Sequence, residues 1–144
     1  MMIRLLTSGA AVMAAMAVGA CAYMGMGNAP VHASNGVLVD SSGMTLYTFD
    51  KDAPGKSVCN GKCAQNWPPL VAGADARPSG DYTLIRRDDG TMQWAYDDKP
   101  LYRWVKDSKP GDMSGDGKLN NQWHVVKQEA SDSYGGMSSD GGGY

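Results

Sequence analysis

The stretch LYTFDKDAPGKSVCNGKCAQNWPPL, residues 46–70, combines a Tyr-x-Phe-x-x-Asp motif (Tyr47, Phe49, Asp52), a Cys-x-x-x-Cys pair (Cys59, Cys63) and a Trp-Pro-Pro. A looser copy begins at Leu101 and reads LYRWVKDSKPGDMSGDGKLNNQWHVV. Tyr102, Trp104 and Asp107 restate the motif 55 residues on. Pro54-Gly55 returns as Pro110-Gly111 and Trp67 as Trp123, each 56 residues on. Self-similarity of this kind marks one supersecondary unit used twice.

Working outward, the apolar runs are short, they alternate, and Gly, Asp, Asn and Ser punctuate them. Residues 37–39 and 44–49 around Asp40-Ser41-Ser42-Gly43 read as a β-hairpin. Residues 82–86, 91–96 and 100–105, parted by Asp88-Asp89-Gly90 and Asp97-Asp98-Lys99, read as a three-strand meander, and 123–128 as a last strand. Residues 50–62, 71–80 and 106–122 read as loops, with one helical turn at 62–67 that Pro68-Pro69 ends. No segment sustains a helical period, so the expected fold is all-β: a small domain of two hairpin-based repeats with long loops and one disulfide. With a single Phe and few branched aliphatics, the rings of Tyr47, Phe49, Trp67, Trp94, Tyr96, Tyr102, Trp104 and Trp123 are expected to form the core. The alternative is an open aromatic face that stacks on sugars.

The two ends read differently. Residues 1–20 have one basic residue, Arg4, and then an uncharged apolar run, the pattern of an export signal. Val18-Gly19-Ala20-Cys21 fits a lipoprotein cleavage site that leaves Cys21 to carry lipid; a competing cut follows Ala22. The chain has three Cys, and if Cys59 pairs with Cys63 then Cys21 is left where a lipid would go. Residues 21–35 read as a flexible tether containing His32, 36–128 as the folded domain, and 129–144, SSDGGGY-ended and polar, as a disordered tail. The net charge of −2, with no basic stripe, excludes nucleic acid as an expected partner.

The motifs LYTFDKD, GKSVCNGKCAQNWPPL, DDGTMQWAYDDKPLYRW and WHVV together resemble the secreted-repeat lipoprotein family defined by Tyr-x-(Phe/Trp/Tyr)-x-x-Asp. The resemblance spans about residues 36–128 and implies an exported bacterial protein, often a lipoprotein, of unknown function. The expected role is therefore that of a non-enzymatic cell-envelope lipoprotein that binds an envelope protein or small ligand, or is structural. Its expected place is the outer membrane, facing the periplasm.

Three chemistries compete at particular residues. Cys59 and Cys63 form a disulfide in an oxidising compartment, worth about 2 kcal/mol for so short a loop. Alternatively, as thiolates with His124 and a Met, they would suit a copper-handling or redox accessory protein. Asp112, Ser114, Asp116 and Gly117 match the first half of a calcium loop, but Trp123 stands where its bidentate Glu belongs. Asp52 and Asp107, each just past an aromatic strand, are expected to accept backbone N–H bonds from the turn that follows.

Overall fold

The computed structural model describes residues 28–128. Their strands are β1 (Val31–Ser34), β2 (Val37–Asp40), β3 (Tyr47–Phe49), β4 (Val71–Ala72), β5 (Tyr82–Arg86), β6 (Met92–Tyr96), β7 (Lys99–Pro100) and β8 (Trp123–Val125). Two short helical turns, α1 (Lys62–Asn66) and α2 (Lys118–Asn121), complete the list. Strands β5 and β6 and the α1 turn lie where the residue pattern put them. The third meander strand, expected over 100–105, is only Lys99–Pro100, and the last strand, expected over 123–128, ends at Val125. The signal segment, Cys21 and the tail 129–144 fall outside the described residues.

Two further expectations need correction. Residues 31–34 are not tether: they pair antiparallel with β2, Val31 opposite Asp40 and Ser34 opposite Val37. Asn35 and Gly36, at φ 50° and 80°, form the two-residue turn whose left-handed backbone suits the twist of a hairpin. Within the loop at 71–80, Val71–Ala72 is a strand on β6, with Val71 opposite Gln93.

The Leu-Tyr dipeptide at the head of each copy explains why there are two cores. Successive residues of an extended chain face opposite ways. Leu46 and Leu101 accordingly enter one core with Leu38, Leu70, Trp94 and Val126. Tyr47 and Tyr102 enter the other with Trp67, Trp123 and Cys59. Each core is duplicated: Leu38 answers Trp94, Leu70 answers Val126, and Trp67 answers Trp123.

The copies do not fold side by side. Strand β8 of the second copy pairs with β3 of the first, β4 of the first pairs with β6 of the second, and Lys127 bridges Val37 beside the β1–β2 pair. The Val126 carbonyl accepts from Leu38 N–H at 2.8 Å, as the Leu70 carbonyl accepts from Trp94 N–H at 2.9 Å. The Gln122 carbonyl accepts from Asp50 N–H at 2.9 Å, as the Asn66 carbonyl accepts from Val105 N–H at 3.0 Å. On the axis relating the halves, Tyr47 and Tyr102 exchange both backbone bonds, at 2.8 and 3.0 Å. The domain is thus one pseudo-twofold interlock.

Candidate functional site

The repeated motif sits at the centre of that interlock. Phe49, Trp123, Trp67 and Trp104 stack in a row, with centroids 4.3, 3.8 and 4.2 Å apart. Copies alternate along the row at its outer contacts, Phe49 on Trp123 and Trp104 on Trp67. Tyr47 meets Trp67 edge-on and Tyr102 meets Trp123 edge-on. Gly115 lies against the stack so closely that a Cβ there would sit 2.8 Å from Trp67. Five of the eight aromatics expected in the core are buried (Tyr47, Trp67, Trp94, Tyr102, Trp123), and Phe49, Tyr96 and Trp104 are half-buried at its margin.

The tyrosine hydroxyls cross between copies. Tyr47 donates to Asp107 Oδ2 at 2.5 Å, and Tyr102 donates to Asp52 Oδ2 at 2.6 Å. The second carboxylate oxygens do what the motif's spacing predicted. Asp52 Oδ1 accepts Val58 N–H at 2.8 Å and Asp107 Oδ1 accepts Ser114 N–H at 3.0 Å. Residue spacing gave those local bonds but not the Tyr–Asp bonds, which exist only because the copies interlock.

Burial, reinforced by the neighbouring carboxylates, raises both tyrosine pKa values far above 10.0. A raised pKa means that the folded state keeps a proton the unfolded state releases. The stability this lends is complete below pH 10 and is lost as pH rises beyond it. On alkaline titration, Tyr47 and Tyr102 should stay un-ionised until the domain unfolds, and stability should fall steeply above pH 10. Ultraviolet absorbance in which every tyrosine ionises smoothly in the native state would contradict this. Asp52 is also raised, by burial first, against the lowering bonds from Tyr102 and Val58. Its sign is the same: a penalty on the folded state that grows as the carboxyl ionises.

Cys59 and Cys63 are joined as a disulfide, with Cα atoms 5.2 Å apart. Cys59 is buried against the aromatic core, and the loop is held by Arg87, itself 4% exposed. Arg87 donates to Cys59 O at 2.6 Å, Gln93 Oε1 at 2.7 Å and Ser57 Oγ at 3.0 Å. His124 is not part of this cluster. It lies on β8 opposite Thr48, with Nε2 2.8 Å from Asp50 Oδ2. Among the described residues no group of three or more His, Cys, Asp or Glu is placed to hold a metal ion. A copper site built from Cys59, Cys63 and His124 would need the disulfide opened and the Asp50 contact given up.

The calcium-like run is also committed elsewhere. Asp112 Oδ2 accepts the N–H groups of Ser108 and Lys109, and Asp116 Oδ1 accepts Val125 N–H. The Lys109 and Ser108 donors hold the Asp112 carboxyl well below its usual range. These are turn-closing bonds. At the end of the run, Leu119, Asn120 and Asn121 all take left-handed backbone angles, φ 52°, 56° and 62°.

A cleft of about 420 Å³ lies beside β3 and β8. Its walls include Thr48, Phe49, Asp50, Tyr96, Asp97, Lys99, His124 and Lys127. Asp97 and Asp98, at φ 48° and 58°, form the tight turn between β6 and β7 that sets its rim. Of the sequence-predicted site residues, Phe49, Asp52 and His124 line it. Tyr96 was expected in the core or on an open aromatic face, and Asp97 and Lys99 only as turn residues; Lys127 was not foreseen, because nothing in the sequence brings it to that turn.

No curated protein and no solved structure matches the chain significantly. A family profile does, over residues 30–71 and 83–127, one span for each copy of the interlock. The first span begins just before β1, in agreement with the corrected start of the domain. This chain therefore belongs to the family described as a secreted repeat of unknown function.

Proposed function

We propose that the protein is an exported, lipid-anchored module of the bacterial cell envelope with a non-enzymatic binding role. The observation that carries this reading is the fate of the repeated motif. Tyr47, Tyr102, Asp52 and Asp107 bond to one another across the copies. The repeated tyrosines and aspartates are architectural, and recognition falls to the walls of the cleft, where residues that do not repeat join Phe49. Cys21, after Val18-Gly19-Ala20, supplies the anchor. Ala22 rather than Asp follows it, which favours the outer membrane facing the periplasm.

Cys21→Ser is expected to release the protein from the membrane fraction and to block lipoprotein processing. Wild-type protein found wholly soluble, with its N-terminus at Tyr23, would contradict the anchor.

A further inference from the structure

We propose that the cleft beside β3 and β8 is a carbohydrate site that takes one or two neutral sugar rings. This deepens the binding role proposed above and rests on it. The duplicated fold supplies its own control, since Thr48, Asp50, His124 and Lys127 each have a counterpart at the equivalent place in the other half.

Asp50 and Val105 occupy equivalent places, as their matching bonds to Gln122 and Asn66 show. Tyr47 faces Val125 and Tyr102 faces Pro69, which makes His124 the counterpart of Pro68. Lys127 bridges Val37 as Val71 pairs with Gln93. One side thus carries Asp50, His124 and Lys127 where the other carries Val105, Pro68 and Val71. The architecture does not require these polar groups, because its other half forms without them.

Thr48 explains the opening itself. Its counterpart, Arg103, reaches to Asp40 in an ion pair, and Asp40 holds the place of Tyr96. A short Thr leaves uncovered what an Arg spans.

The wall chemistry selects the ligand. Lys99, Lys127 and Asp97 carry no ion pair with one another or with other described residues, and Asp50 is shared with His124. A ligand of either net charge would meet its own sign. A neutral ring of hydroxyls, each both donor and acceptor, satisfies carboxylates, amines and the Thr48 hydroxyl together. Phe49, the end ring of the aromatic stack, and Tyr96 offer apolar surface for the C–H face of a sugar. The volume lies at the lower end of small-ligand sites.

The test uses the full chain and five probes: glucose, galactose, N-acetylglucosamine, cellobiose and chitobiose, followed by backbone amide shifts. At least one probe should move the amides of Thr48, Phe49, His124 and Lys127 in a saturable way. Asp97→Asn, which tolerates the left-handed turn, and Lys127→Gln should each weaken binding about tenfold, one charge-assisted bond's worth, with thermal stability unchanged. No cleft shift with any probe would overturn the proposal. So would shifts that survive the double variant, or stronger shifts from inorganic phosphate or free arginine than from every sugar. Each result is independent of the anchor, because Cys21→Ser tests that separately and leaves the cleft intact.

Discussion

Truncation of Trp123 to Ala is expected to cost about 3–5 kcal/mol, the range for removing a buried Trp or Phe side chain. Trp123 is fully buried and lies parallel to Trp67 at 3.8 Å, with Phe49 on its other contact and Tyr102 against its edge. Each such ring pair adds about 0.5–1.5 kcal/mol beyond burial alone. A domain this size has a total stability of about 5–15 kcal/mol, so the variant should be close to unfolding. Trp104, half-buried at the end of the row, should cost clearly less when truncated. Urea unfolding decides the matter. A Trp123→Ala loss below about 1 kcal/mol would remove the stack from the centre of the account.

Arg87→Met should have the second large effect, about 2–6 kcal/mol. The stem is kept and the charge removed, so packing changes little. What is lost is the set of donors that satisfies Cys59 O, Gln93 Oε1 and Ser57 Oγ in a buried place. A buried acceptor left without a partner costs about 1–3 kcal/mol, and at least two are left here. Lys should rescue poorly, since one ammonium cannot fork between acceptors as a guanidinium does. The damage should be local as well as global. Amide exchange should rise first around Ser57, Cys59 and Asn60, the loop that Arg87 ties to β6. A Met variant as stable as wild type, with that loop unchanged, would show the guanidinium to be dispensable.

These two residues also mark what was legible in the sequence. Trp123 was, because a Trp repeated at fixed spacing beside a repeated Tyr-Asp motif announces a shared core. Arg87 was not. It follows a strand and precedes Asp88-Asp89-Gly90, where a charged residue ordinarily faces water. Its burial depends on acceptors from a loop about thirty residues earlier, which no local pattern reveals. The exchange of final strands was hidden for the same reason: spacing reports neighbours within a copy, not partners across copies. β1 could have been found. Asn35-Gly36 is a strong hairpin signal, but three of the four β1 residues are exposed, so the strand lacks the buried alternation that marks most others. The left-handed Leu119 had no signal at all, though Asn120 and Asn121 tolerate such angles.

The central claim is that neither copy is complete without the other's last strand. It can be tested by installing a protease site between Ala76 and Asp81, in the exposed stretch that joins the copies, and cutting the folded full-length chain there. The disulfide lies within the first piece, so no covalent bond holds the two together. The account predicts that both pieces migrate as one folded species under native conditions and part only in denaturant. Pieces that separate natively, each with intact β structure of its own, would contradict it.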